Sequence, residues 1–238
     1  MNKAREIRKD FAERLINTAT LHFARQLPKE KVEDLMNEVP RQTGWVFERA
    51  SASTFLVKRP PVLSQELDEA FYAICNISMQ CMPLDKAEDA FNKIADDLVA
   101  NFMSLAIGAD NENARFIMRL RLKLSAFSDY LIATGFTSDC LVRFSALNVG
   151  NIRFDGFSDE LWKSQHTGEF LFEKHNPALF SSNSKIYQQY GVYPAISTRA
   201  LKSLLSTFMI NSECLQIHMN PSGFGDGTAI EHWKIWLE

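Results

Sequence analysis

The sequence predicts an α+β protein with a helical front and a β-rich back. Only three of the ten glycines precede residue 138, which indicates that tight turns are concentrated in the back half. Amphipathic helical periodicity fills the front, and short apolar or aromatic runs between turn residues fill the back. We therefore expect an N-terminal bundle of about four helices with an inserted β-hairpin, followed by a region built on a mixed sheet.

The helices are indicated by apolar residues that recur at three- and four-residue steps. Proline at position 28 ends the first helix and can open a short second one with a polar, surface composition. The last two front helices are joined by a short polar loop, so we expect them to pack antiparallel. The predicted helices of the front half span residues 6–25, 29–37, 65–79, 84–105 and 117–131.

Between the second and third helices lies a predicted β-hairpin, within residues 44–58. β-Branched and aromatic residues fill 45–49 and 54–58, and a Ser-Ala-Ser turn separates the two runs. Such composition is typical of strands. Pro60 and Pro61 end the second strand.

The back half reads as short strands with one further helix. The segment from Lys174 to Pro194 is predicted to be a long loop, a common place for recognition elements. We place a boundary after residue 137, giving a mainly helical region, 1–137, and a β-rich region, 138–238, which form either two units or one compact unit. The predicted elements are strands at 141–144, 151–154, 169–173, 214–219 and 230–237 and a helix at 197–209.

Composition excludes several classes of protein. The 26 Lys and Arg residues against 29 Asp and Glu give a formal net charge of −3, so the long-range cationic field of a nucleic-acid binder is absent and nucleic acid is not an expected partner. The four cysteines lack the spacing of a zinc site or of a disulfide scaffold and are interpreted as reduced thiols. No bilayer-spanning segment or secretory signal is recognised, so we expect a cytoplasmic protein without a membrane partner.

The last predicted hairpin brings two histidines together. If Met219 faces Ala229, the register places His218 and His232 on one face of the sheet as diagonal neighbours. Asp226 in the connecting loop or Glu169 on a nearby strand could then complete a site of two imidazoles and a carboxylate. This gives a metal- or histidine-assisted hydrolase as an alternative function, although two such histidines are more often a solvated or hydrogen-bonded surface pair. No metal and no cofactor are expected.

A basic stripe marks the predicted helix at 117–131 and the residues before it. Arg115, Arg119 and Lys123 occur at four-residue steps beside Arg121, opposite the apolar stripe. An RNA-contacting surface is a second alternative. A solvated helix face is favoured, because the chain is slightly acidic and no base-stacking aromatics are interleaved with the cations.

Aromatic residues near turns and near residue 236 favour an interaction surface. Tyr190, Tyr193, Trp233 and Trp236 lie where complete burial is not expected, and aromatics with a polar handle are enriched in interfaces. No motif with chemical content is recognised, and an enzyme is not favoured. The sequence therefore leads to an adaptor, secretion-accessory factor or inhibitor that acts through contacts with an unidentified protein partner, with no catalytic constellation evident.

Overall fold

The computed structural model describes residues 5–44, 47–49, 55–57, 63–105, 116–145, 167–221 and 227–236. Within these residues the α+β class is confirmed: helices precede and flank a four-stranded antiparallel sheet. No helix among the described residues is long and apolar enough to cross a bilayer.

The predicted helices are present, and one more is found. The segment predicted at 84–105 is a helix over its full length. The described helices are α1 (Lys9–Ala24), α2 (Lys29–Thr43), α3 (Ser64–Met79), α4 (Leu84–Leu105), α5 (Phe116–Ala133), α6 (Phe180–Tyr190) and α7 (Ile196–Thr207).

Helix α2 continues beyond its predicted end because tertiary burial and local bonds hold its last turn. Val39 is fully buried just before Pro40, and the hydroxyl of Thr43 donates to the Val39 carbonyl at 2.7 Å. Gly44 then ends the helix in the left-handed conformation at φ +69°, as expected of a glycine that follows a helix.

Helix α6 lies where the sequence predicted a long loop. The carboxylate of Asp68, on α3, accepts a hydrogen bond from the backbone N–H of Ser182 at 3.0 Å, so a residue 114 positions away caps the first turn. Burial raises the pKa of Asp68, and the bonds from Ser182 oppose this shift. The long-range cap explains why local sequence did not reveal the helix.

The predicted hairpin is confirmed by the pairing of β1 (Phe47–Arg49) with β2 (Phe55–Val57). The larger sheet has the strand order β3-β4-β6-β5, and every described pairing in it is antiparallel. Among the described strands the sheet is antiparallel and not mixed, because β5 lies at an edge and β6 pairs with both β5 and β4. The predicted strand at 151–154 lies outside the described residues. The strands of this sheet are β3 (Asp139–Ser145), β4 (Thr167–His175), β5 (Asn211–Pro221) and β6 (Gly227–Trp236).

The chain divides into two compact units, each built from several segments rather than separated at residue 137. The first comprises Met1–Leu98, Thr134–Phe136 and Ala178–Arg199, and its core includes edge-to-face phenylalanine pairs such as Phe23 with Phe91. The second comprises Val99–Ala133, Thr137–Pro177 and Ala200–Glu238.

The second unit is organised by one apolar face of the sheet. Burial alternates along β4 and β6, the pattern of strands with one covered face. Phe172 of β4 stacks on Phe127 of α5 with ring centroids 6.3 Å apart. Phe170 lies parallel to the ring of Trp233 at 6.1 Å. These contacts fix α5 over the inner face of the sheet.

The reversal that follows α5 depends on Gly135. This residue has φ +76°, and a Cβ atom built on it would lie 2.3 Å from the Glu6 carbonyl oxygen. The Nε of Arg5 donates to the Gly135 carbonyl at 2.7 Å, and the N–H of Arg8 donates to the Thr134 carbonyl at 3.0 Å. The segment before α1 thus packs directly against the turn between α5 and β3.

Gly135→Ala is expected to lower the free energy of unfolding by about 3 kcal/mol or more, because it adds a backbone clash to the strain of a left-handed residue. Gly44→Ala is the matched control: its φ is +69° and nothing lies within 4 Å of the added Cβ, so only about 1–2 kcal/mol of conformational strain is expected. Urea unfolding of both variants measures the difference. Equal losses would show that the close approach to Glu6 has no energetic consequence.

Candidate ligand-binding groove

Helix α5 and strand β3 line an open groove of about 490 Å³ in the second unit. In the described sheet, β3 is an edge strand, so the groove runs along the side of the sheet. Its walls are Arg121, Ser125, Ser128 and Asp129 of α5 and Cys140, Leu141, Val142 and Phe144 of β3.

Two contacts set the relative placement of the walls. The Ser128 hydroxyl donates to the Cys140 carbonyl at 2.8 Å, joining the later turns of α5 to the start of β3. The Arg121 guanidinium carbon lies 5.1 Å from the centroid of the Phe144 ring, joining the earlier turns of α5 to the end of β3. The helix and the strand therefore run antiparallel along the groove.

The two walls offer different chemistry. From α5 come a guanidinium, two hydroxyls and a carboxylate, at spacings that follow the turns of a helix. From β3 come aliphatic and aromatic surface and the buried thiol of Cys140. Phe144 also packs on Phe170 at 5.7 Å, so the aromatic end of the groove is supported by the core.

The basic stripe predicted on this helix is not a solvated face. Lys123 is 3% exposed, and Arg119 and Arg121 are half-buried. The exposed residues of α5 include the apolar Met118, Leu122 and Ile132. The apolar stem of a lysine or arginine can be covered while its charge is satisfied, which periodicity alone does not show. Arg115 lies outside the described residues.

A buried ion pair lies on the inner face of the sheet near the groove. Lys174 and Glu231 are 2% and 1% exposed and form a salt bridge. The Trp233 indole N–H donates to the other oxygen of Glu231 at 3.0 Å, and the Lys174 ammonium lies 5.7 Å from the Phe172 ring centroid. Full pairing is what such a charged group requires in an apolar core.

The two thiols near this pair are unsuited to nucleophilic chemistry. Burial raises the pKa of Cys140 to about 11. Burial, aided by the Glu231 carboxylate, raises the pKa of Cys214 to about 12. Because the thiolate is the reactive form, neither side chain is activated near neutral pH.

The predicted histidine register is confirmed, but the two imidazoles have different environments. Met219 faces Ala229 and His218 faces Ile230. His232 lies 2.7 Å from the Glu169 carboxylate through its Nε2, whereas His218 is exposed. Asp226 lies outside the described residues. Among the residues that the structure does describe, no group of three or more His, Cys, Asp or Glu side chains could hold a metal ion.

The four aromatic residues predicted as contact points also differ in their environments. Trp233 is 1% exposed, so its selection as a surface contact is wrong, because its ring stacks in the core and its N–H is bonded there. Trp236 and Tyr193 are half-buried, and Tyr193 meets Tyr187 edge-on at 6.1 Å. The Tyr190 hydroxyl donates to the Asn76 side-chain oxygen at 2.7 Å. A protein partner for the remaining three stays a prediction.

A second, mainly polar groove of about 430 Å³ lies between α2 and α3. Its charged side chains pair with one another: Lys31 contacts Asp34 at 2.9 Å, and Arg41 contacts Glu38 at 3.6 Å. It offers little apolar surface to a ligand. The groove between α5 and β3 is therefore the better candidate.

Comparison with solved structures gives a likeness in fold. No family model and no curated protein matches the chain. A solved structure described as "Probing the function of heme distortion in the H-NOX family" aligns over 93% of this chain and 94% of its own, at 9% sequence identity and a TM-score of 0.48.

This finding is at odds with the interpretation of the chain as an adaptor, secretion-accessory factor or inhibitor that acts through protein contacts, since the matched protein is described by its heme. That interpretation is wrong on this comparison. The likeness itself is too weak to bring a heme site or a function to this chain.

Sequence reasoning missed most of the groove. Ser125, Ser128 and Asp129 interrupt the otherwise apolar second half of α5, and this interruption was the available signal. Arg121 was noted only as part of the basic stripe. The β3 wall gave no signal, because its residues form an ordinary apolar strand.

Lys174→Met is expected to destabilise the second unit by about 3–5 kcal/mol, because it leaves the Glu231 carboxylate buried without its partner. The double variant Lys174→Met/Glu231→Gln keeps an acceptor for Trp233 and removes the orphan charge, so it is expected to recover most of the loss. Chemical denaturation of the two variants measures this. A double variant no more stable than the single one would contradict the assignment.

Thiol titration with an aromatic disulfide at pH 8 is expected to show one fast cysteine. Cys81 is exposed, whereas Cys75 and Cys140 are buried and the raised pKa of Cys214 slows its reaction. Cys81→Ser is expected to remove the fast phase. Retention of that phase would show that a second thiol is accessible and reactive.

Proposed function

We propose that this protein is a small-molecule-binding domain and that the groove between α5 and β3 is its binding site. The groove itself carries the proposal: its volume of about 490 Å³ falls within the roughly 300–1,000 Å³ that is typical of ligand sites. One wall is apolar and the other presents a few polar groups, which is the usual composition of such sites.

The construction of the walls supports a site rather than a surface irregularity. Both walls belong to regular elements, and the bond from Ser128 to Cys140 ties them together. Phe144 rests on Phe170, which in turn stacks on Trp233. A binding site built on packed helices and strands loses little conformational freedom when a ligand binds. More of the contact energy is therefore retained as affinity.

The chemistry of the walls favours a ligand with an apolar body and a polar group. Phe144 and Val142 offer apolar surface to the body. Arg121 offers a planar guanidinium that matches a carboxylate or phosphate in geometry. The hydroxyl of Ser125 is exposed on the same side of α5.

We also propose that the protein acts in the cytoplasm. All four cysteines are free thiols, and two of them are buried. Cysteines in that compartment are usually reduced. Purification of the protein from a native source, followed by a count of its free thiols, would test whether its cysteines are reduced there.

Filling the groove is expected to weaken binding of a ligand there. Ser125→Phe places a ring in the groove, whereas Ile132→Phe adds a ring of the same size to an exposed position of α5 outside it. With 1-anilinonaphthalene-8-sulfonate as an apolar anionic probe, Ser125→Phe is expected to weaken binding about tenfold or more, because the ring occupies the volume of the probe. Ile132→Phe is expected to match the wild type.

Fluorescence titration measures both affinities, and urea unfolding checks that both variants fold. Equal affinity of Ser125→Phe and the wild type would place the probe elsewhere and overturn the proposed site.

A further inference from the structure

We infer that the ligand of the α5–β3 groove is a dipolar molecule, with an acidic group at the Arg121 end, a basic group at the Asp129 end and an apolar chain between them. This inference rests on the proposed function and names the class of molecule that the groove takes. It follows from the order of charged and apolar groups along the groove.

The length of the groove is set by the helix. Arg121 and Asp129 are eight residues apart in the sequence, which corresponds to a rise of about 12 Å along the α5 axis. The antiparallel strand places Phe144 beside the first of these residues and Cys140 near the second. An extended chain of about seven methylene groups spans most of this length, given carbon–carbon bonds of about 1.5 Å.

The Arg121 end suits an anion. The guanidinium carbon lies 5.1 Å from the centroid of the Phe144 ring, which holds the positive charge at this end of the groove. A guanidinium carries five N–H donors, so it can serve an existing partner and a bound carboxylate together. A two-point bond to a carboxylate is stronger than a neutral hydrogen bond.

The middle of the groove suits an alkyl chain. Val142 lines it from the strand, and Leu141 beside it is 38% exposed. Covering such surface with methylene groups is favourable in proportion to the area removed from water. Ser125 lies opposite on the helix and places no charge there.

The Asp129 end suits a cation. Asp129 is exposed, and none of the ion pairs between described residues includes it. A second carboxylate, Asp139, lies one residue before Cys140 and accepts the Cys140 N–H at 2.8 Å. A methyl end or a second acid would face negative charge here, whereas an ammonium would be attracted by it.

Two probes with the same chain of eight carbons test the contribution of the acidic group and of the basic group separately. Octanoate carries the acidic group alone, and 8-aminooctanoate adds an ammonium at the far end of the same chain. In the wild type, 8-aminooctanoate is expected to bind about threefold more tightly, the size of a solvent-exposed ion pair. Isothermal titration calorimetry measures both affinities.

Two variants assign the two ends. Asp129→Asn is expected to remove the preference for 8-aminooctanoate and to leave octanoate binding unchanged or slightly stronger. Arg121→Gln is expected to weaken both probes about tenfold, and Arg121→Lys, which keeps the charge but not the fork, is expected to recover part of that loss. Glu213→Gln, which removes an exposed carboxylate from β5, serves as the matched control and should change neither affinity.

Equal binding of the two probes by the wild type, or an unchanged preference in Asp129→Asn, would overturn the dipolar ligand. If the sulfonate probe binds and is blocked by Ser125→Phe while neither octanoate probe binds, the dipolar ligand is again overturned and the groove remains a binding site. If Ser125→Phe fails to block the sulfonate probe, the proposed function itself is overturned.

Discussion

The groove depends on the reversal at Gly135, where the chain leaves α5 and enters β3. The turn needs a left-handed residue, and the Glu6 carbonyl approaches it too closely for any side chain. Hydrogen bonds from Arg5 and Arg8 to this turn hold it in place. Since helix and strand then run back along each other, the bond from Ser128 to Cys140 fixes the spacing between them. The turn at Gly135 and the bond from Ser128 to Cys140 thus bring the two walls of the groove together.

The core behind the groove combines aromatic stacking with a buried ion pair. Phe144, Phe170 and Trp233 form a continuous series of ring contacts from the groove to the centre of the sheet, and the Trp233 N–H is bonded to Glu231. A buried salt bridge rarely adds net stability over a well-packed apolar pair. Here the Glu231 carboxylate of the salt bridge holds the Trp233 indole in one orientation. The rings stacked on that indole, and the groove wall at Phe144 that they support, therefore have a single arrangement.

Much of the fold could be predicted from the sequence, because its strongest signals are local. The periodicity of α4 gave that helix over its full length, and the pairing of His218 with Ile230 followed from the assumption that Met219 faces Ala229, which the structure confirms. Helix α6 could not be found in this way, since its cap comes from Asp68 on another helix. The site was largely invisible for the same reason. Burial of Lys123 and the meeting of Ser128 with Cys140 arise from tertiary packing, which no local pattern encodes.

The most direct test of a binding site between α5 and β3 is a map of backbone amide shifts, recorded by nuclear magnetic resonance as octanoate is added to the full chain. The account predicts saturable shifts concentrated in α5 from Arg121 to Asp129 and in β3 from Cys140 to Phe144, with β5 unaffected. Shifts concentrated instead between α2 and α3, around Asp34 and Gln80, would contradict it.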